Sequence, residues 1–351
     1  MMRYAKEHTM EDALFRYLAI KMHPLILTWQ GPAIVVRGCY ERQKSIISIQ
    51  EKTDKLFNWK RPTAEISKDN KILYINCFPG IDYVRHYAML IKTYFRVHNL
   101  NSPHITFELP THNQSISELR KTNLTRMPKC DIVIIGKVEN LRALTNNSPW
   151  EGDGDFYWST GRIGSGFGQV ALLGCTFSLW GDIAGSVIKV LGQNVPKTLI
   201  YTGKLGGLSH DMPTNQLLAT GNQSMFLGKI ISWENIIKIP AHINNVVHGK
   251  HVTLFSTLAE TKEWYNNIGR FYSFVDPEIG HMADVALKNK INFGYIHLVS
   301  DNVAVTQSEN LSNERGQEIV AKRAVISQKI LDVIRNTMGR AHPTCVSSNF
   351  R

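Results

Sequence analysis

The sequence predicts an α/β protein: a mixed, twisted central sheet flanked by helices, preceded by a smaller α/β or α+β accessory domain. Three stretches carry this expectation. Residues 171–220, ALLGCTFSLWGDIAGSVIKVLGQNVPKTLIYTGKLGGLSHDMPTNQLLAT, read as strand, glycine-bearing turn, helix and a second strand ending in Gly203, Gly206 and Gly207. Residues 274–302, FVDPEIGHMADVALKNKINFGYIHLVSDN, give a strand edge, a helix and a strand. They leave Glu278, Ser300 and Asp301 at element ends, where α/β proteins gather their chemistry. CDIVIIG at 130–136 is a further apolar strand closed by glycine, and it opens the larger domain. Strands this apolar are buried on both faces, so helices must lie above and below them.

The 351 residues, 43% hydrophobic and 20% charged, are enough for two domains with real cores. We divide them into a basic accessory domain (1–128), the larger domain (129–338) and a flexible tail (339–351). The formal net charge is +11, and most of the excess falls in the first part. Such a charge can steer anionic ligands, but the basic residues are dispersed, and nucleic acid is not an expected partner. Five scattered cysteines fit a reducing compartment. There is no signal-peptide pattern or apolar run long enough to span a bilayer, so a cytoplasmic location is expected, away from membranes. CxxC, HExxH and GxSxG patterns are absent, so neither a metal nor another cofactor is expected.

Along the chain, residues 9–29 read as a helix capped by Thr9, striped by Leu14, Leu18 and Met22, and ended by Pro24. AIVVRGCY and SIISIQ within 33–50 are strand candidates, 59–70 is a surface connection, and KILYINCF (71–78) is a strand closed by Pro79-Gly80. A helix follows from Tyr83, then the strand HITFELP and a helix-to-turn segment reaching Pro128. Arg37, Arg42, Arg85 and His86 stand within reach of an anion but read as solvated. FYWSTGRIGSGFGQVALLG (156–174) is a hairpin whose connection holds Gly161, Gly164, Gly166 and Gly168. Arg162 sits among these glycines, where backbone amides can serve an anion. Residues 225–239 carry mixed strand signals, HVTLFST is a strand, and TLAETKEWYNNI (257–268) is helical. The last helix, 313–338, packs through Ile319, Ala324, Ile326, Ile330, Val333 and Ile334.

Taken together and in order, TGKLGGLSHDM, VDPEIGHMADVAL and IHLVSDN resemble the nucleoside phosphorylase and nucleosidase superfamily over about residues 130–336. The Gly161-Arg162 turn and the ETKEW segment agree with it. The resemblance implies a phosphorylase/hydrolase-like three-layer fold. It also implies that Glu278 holds the ribose hydroxyls and that Asp301, oriented by Ser300, protonates the departing purine. Thr202, Gly203 and Lys204 would line the substrate site. A homo-oligomer is implied as well, with Trp264 and Tyr265 as interface candidates.

Departures from the family pattern bear on the reaction. Tyr201 and Asn140 stand where hexameric phosphorylases carry the two arginines that hold phosphate, and guanidiniums are its natural bidentate partners. Lys204 and Arg162 are the cations that could replace them. Leu141 stands where nucleosidases place a water-activating glutamate, with Glu139 as a displaced substitute, and Pro277 replaces a methionine beside the sugar. The implied activity is cleavage of the N-glycosidic bond of a purine nucleoside or nucleotide, by hydrolysis rather than phosphorolysis. The alternative is a non-catalytic nucleoside-binding or scaffold protein on the same fold.

Overall fold

The computed structural model describes residues 2–162, 168–191, 196–305 and 316–339. The chain begins with three short helices, α1 (Met2–Glu7), α2 (Ala13–Lys21) and α3 (Pro24–Thr28). The helix expected over 9–29 is thus divided. Pro24 opens α3 at its first position, where a missing amide costs nothing, and the His23 side chain caps it. Four strands follow: β1 (Ala33–Arg37), β2 (Thr63–Ile66), β3 (Ile72–Asn76) and, after α4 (Ile81–Val97), β4 (His104–Glu108). They pair as β2-β3-β1-β4, with β1 parallel to both its neighbours and β2 antiparallel to β3. SIISIQ forms no strand. Ile46 makes one bridge to Ala64, and Ile49 is exposed. Leu14 and Leu18 of α2 and Met22 just past its end share a core with Val84, Tyr87, Leu90 and Ile91 of α4 and the strand residues beneath. Helix α5 (His112–Lys121), opened by a Thr111–Gln114 capping box, leads out of this unit.

The second sheet has eleven strands among the described residues. Its first part is β5 (Ile132–Gly136), β6 (Phe156–Arg162), β7 (Gln169–Cys175), α6 (Asp182–Leu191) and β8 (Thr198–Gly207). Then come β9 (Leu218–Thr220), β10 (Gln223–Phe226), β11 (Lys229–Ser232), β12 (Val246–His248) and β13 (His251–Thr253). Helix α7 (Lys262–Asn267), β14 (Phe274–Asp276), α8 (Ile279–Lys288), β15 (Asn292–Asn302) and α9 (Gln317–Gly339) complete the chain. The parallel heart is β7-β5-β8-β15, with β6 antiparallel beside β7, β9 antiparallel beside β15, and β14 antiparallel to the far end of β8.

Side chains alternate between the two faces as strand geometry requires. Val133, Ile135, Leu199 and Tyr201 join α6 and α8 in one core. Ile134, Ile200, Ile296 and Leu298 join α9 in another. The architecture is therefore three-layered, a mixed twisted sheet between helices. Within α9 the expected packing face is corrected at one position: Ala324 is exposed, and the buried place belongs to Arg323, whose Nε donates to Asn215 Oδ1 at 2.9 Å. The segment 257–268 is helical only from Lys262, after a single 3₁₀ turn at Thr257–Ala259. Gly164, Gly166 and the tail from 340 onward lie outside the described residues.

The two sheets are joined by polar contacts between helices. Gly80, at the head of α4, has no side chain with which to cap it. Asp182 of α6 does so instead, accepting from the amides of Ile81 (3.1 Å) and Asp82 (3.0 Å). Asp82 in turn meets His281 Nε2 of α8 at 2.7 Å.

Candidate functional site

The strand registers create the site. Strand β5 leaves the edge of β8 at Gly136, opposite Thr202, and β14 meets that edge only at Gly206, running the other way. Gly203, Lys204 and Leu205 fall between the two registers. A crevice opens there, at the carboxyl ends of β5 and β7, the usual ligand position in such sheets. Gly136 is needed for the departure: its φ is +110°, and a Cβ there would stand 2.1 Å from the Thr202 carbonyl oxygen.

The crevice is a cavity of about 780 Å³. The larger sheet lines it with Lys137, Glu139, Tyr201, Thr202, Gly203 and Lys204, and the helices add Glu278 and Arg323. The first unit supplies the opposite wall through Tyr17, Lys21, Tyr83 and His86, together with the segment around residues 54–61.

Glu278 stands at the head of α8 and is 6% exposed. Its Oε2 accepts from the Tyr201 hydroxyl at 3.2 Å, and its Oε1 lies 3.4 Å from the Gly181 amide. Burial, reinforced by the neighbouring charge of Asp276, holds the Glu278 carboxyl well above the ordinary carboxylate range. Burial likewise raises the Tyr201 phenol, which stays neutral and donates.

Beneath Glu278 runs a line of buried polar groups that no spacing in the sequence reveals. Asp276 Oδ1 accepts from the amides of Glu278 (3.0 Å) and Ile279 (2.9 Å), fixing the start of α8. His251 Nε2 lies 3.1 Å from that oxygen, and Ser224 Oγ lies 2.9 Å from His251 Nδ1. Burial works against the Asp276 charge, but His251 and His297 outweigh it and keep the carboxyl below its ordinary value. A serine, a histidine and an aspartate in line evoke a nucleophilic triad, but Ser224 and His251 are 0% exposed and no substrate can reach them. Their role is to position Asp276.

Asp301 and Ser300 are adjacent to the cavity without being part of its described wall. Ser300 Oγ donates to Asp301 Oδ1 at 2.6 Å. Burial raises the Asp301 carboxyl against the opposing pull of Ser300, Lys204 and Arg323. Glu139 is exposed on the wall, and Asn140 lies beside it. Arg162 is exposed at the end of β6 and does not line the cavity. Arg142 is turned to its own loop, donating to the carbonyls of Asn147 and Ser148. Thr202, Gly203, Lys204, Glu139 and Glu278 are thus brought together, while Asp301 and Ser300 stand behind them and Arg162 apart.

Of the basic candidates in the first unit, Arg37 pairs with Glu65, Arg42 pairs with Glu51, and Arg85 is exposed. His86 alone of these reaches the cavity. Its ring stacks on Trp180 at 4.3 Å, and its Nδ1 lies 2.8 Å from Ser256 Oγ. Burial, and secondarily Lys21, pushes its pKa down to about 3. The sequence reads His86 as solvated, and only the docking of the two sheets buries it and makes it part of a wall. Among the described residues no group of three or more His, Cys, Asp and Glu could hold a metal ion, and no helix is long and apolar enough to cross a membrane.

No family model matches the chain. Oxidoreductase cns1 of Cordyceps militaris is 28% identical over 254 residues, which are 65% of this chain and 32% of that protein. The chain thus spans about a third of the curated relative's length. Among solved structures, the chain is similar to an Arabidopsis thaliana 5′-methylthioadenosine nucleosidase (TM-score 0.46, 15% identity, 61% of this chain and 98% of that one). It is also similar to a Colwellia psychrerythraea 5′-methylthioadenosine/S-adenosylhomocysteine nucleosidase in complex with adenine (TM-score 0.45, 16% identity, 60% and 96%).

Proposed function

We propose that the chain hydrolyses the N-glycosidic bond of a purine nucleoside or nucleotide. The observation that carries this reading is Glu278: a buried carboxyl on the cavity wall, fixed by Tyr201 and by the start of α8. A carboxyl so placed can hold two neighbouring sugar hydroxyls, accepting from one through its carbonyl oxygen and donating to the other through the proton that burial favours. In the proposed step the bond between the sugar's anomeric carbon and the purine nitrogen breaks, and the base leaves with the electron pair. Asp301, whose carboxyl is raised by burial, supplies a proton to the base. Water bonds to the anomeric carbon and gives its proton to Glu139, the exposed acceptor on the same wall. Free base and free sugar, or sugar phosphate, are the products.

Tyr201 favours water over inorganic phosphate as the acceptor. Where the family's phosphorylases place an arginine, this chain has a neutral phenol already donating to Glu278. The second reading, a binding protein without turnover, draws on the position of Asp301 outside the described wall.

Chromatography of products from a purine nucleoside and nucleotide panel, with and without added phosphate, tests the assignment. Cleavage without phosphate is expected, and Asp301→Asn should slow it by about 10²–10⁴-fold, the usual range for a general acid. Strict phosphate dependence with a sugar 1-phosphate as product would overturn hydrolysis. No cleavage across the panel, with binding retained, would favour the second reading.

A further inference from the structure

Helix α2 brings one hydroxyl of the first unit to the cavity. Tyr17 sits beside Leu14 and Leu18, whose burial fixes the phase of the helix, and its half-buried ring lines the wall. The phenol oxygen accepts from Thr257 Oγ1 at 3.1 Å, which leaves its own hydrogen to be given elsewhere. Among the described residues the group placed to receive it is His86 Nε2, at 3.4 Å, the long limit of a hydrogen bond. A ligand acceptor at an ordinary distance would take that hydrogen in preference.

Two lines of contact set this phenol between the carboxyls of the proposed reaction. On one side His86 stacks on Trp180 at 4.3 Å, and the next amide, that of Gly181, lies 3.4 Å from Glu278 Oε1. On the other, Thr257 opens the 3₁₀ turn that ends at the buried Glu260, and Asp301 is close enough for its charge to act on both Glu260 and Tyr17. Burial holds the phenol above its ordinary range; Thr257 opposes the rise and the two carboxyls add to it, so Tyr17 stays a neutral donor. A base whose sugar is held at Glu278 and whose proton comes from Asp301 spans this interval. Asp301 is set back from the described wall, and Tyr17 is on it.

We propose that the Tyr17 hydroxyl donates to the departing purine and so acts beside Asp301 as a catalytic residue contributed by the first unit. The inference rests on the glycosidic-bond reading and adds a group to that same site. As the bond to the anomeric carbon breaks, its electron pair passes to the purine, and a hydrogen bond to a ring nitrogen strengthens as charge gathers there. Asp301 transfers its proton, and Tyr17 keeps its own. The donor is aimed before the ligand arrives, because Thr257 holds the oxygen and α2 holds the ring.

Tyr17→Phe removes the oxygen and keeps the ring. The experiment compares its kinetics with wild type on a purine nucleoside and on 4-nitrophenyl β-ribofuranoside, whose leaving group departs as a stable anion and needs no donor. In Tyr17→Phe the kcat for the purine nucleoside should fall by about 10–10²-fold, and that for the nitrophenyl riboside by less than about threefold. Calorimetric titration with free adenine and free hypoxanthine is the second readout, and Tyr17→Phe should weaken both by about three- to tenfold. Thr257→Val, which removes the donor that aims the phenol, should lower the purine kcat in the same direction by less, and it keeps the test open if Tyr17→Phe does not fold. Equal losses on the two substrates would show a structural role and overturn the inference. Purine cleavage unchanged in Tyr17→Phe would also overturn it, and would leave the glycosidic-bond reading standing. If the nitrophenyl riboside is not turned over, base affinity unchanged in Tyr17→Phe is the overturning result. A wild-type chain that cleaves no purine nucleoside would instead overturn the reading beneath.

Discussion

At the scale of single residues, His86 shows how a side chain that looks solvated in sequence becomes a site residue. It lies on α4 among aromatic and apolar positions, and nothing in their spacing separates a packing histidine from a wall histidine. The deciding contacts, Trp180 and Ser256, are remote in sequence. Its titration has a defined sign. The folded pKa is about 3 against 6.5 for the free side chain, so below pH 6.5 the unfolded chain takes up the proton first. The stability held by the neutral ring is complete above pH 6.5 and is lost progressively as pH falls toward 3. Between pH 7 and pH 5 this amounts to about 2 kcal/mol. Urea unfolding of His86→Gln should therefore show a smaller loss than wild type over that interval, by about that amount. Parallel losses in the two proteins would contradict the assignment. Glu278 was legible, because an acid at the start of a helix after an apolar strand is a pattern. The Ser224–His251–Asp276 line beneath it was not, since it joins three separate strands.

At the scale of elements, most strands and helices were legible because their apolar periods are strong: KILYINCF, CDIVIIG, and the strands and helix within 171–191 and 196–207 fold as read. The failures have local causes. Pro24 ends one helix but also suits the first turn of another. SIISIQ has strand composition but no neighbouring edge to pair with beyond one bridge. The capping of α4 by Asp182 could not be read at all, since cap and helix are a hundred residues apart. Removing that carboxylate leaves two amides at the head of α4 without their acceptor. Asp182→Ala should cost about 2 kcal/mol in urea unfolding, and Asp182→Asn, which keeps one acceptor oxygen, distinctly less. A loss within about 0.5 kcal/mol, the range of ordinary surface substitutions, would show that the cap is dispensable.

At the scale of the molecule, the cavity belongs to neither sheet alone. Strand ends of the larger sheet and the start of α8 line one part of it, and α2, α4 and the segment around residues 54–61 line another. A chain cut to begin at residue 129 would bare Phe177, which stacks on Phe78 at 4.0 Å, together with Trp180. Such a chain is expected to bind an apolar fluorescent dye strongly and to lose affinity for purine nucleosides by more than tenfold in calorimetric titration. Retained affinity, measured by the same titration, would show that the larger sheet suffices.

The turn from Trp180 to Asp182 gives this a further meaning. Within three residues it stacks on His86 of one unit, places an amide by the Glu278 carboxyl, and caps α4. The two halves are therefore not interchangeable modules. Grafting the larger sheet onto a different leading domain would strand a carboxylate, uncover an indole and loosen the wall behind Glu278 in a single cut. A lineage that exchanged its leading domain would have to rewrite this turn at the same time, so the turn serves as a marker of which partners the sheet has kept.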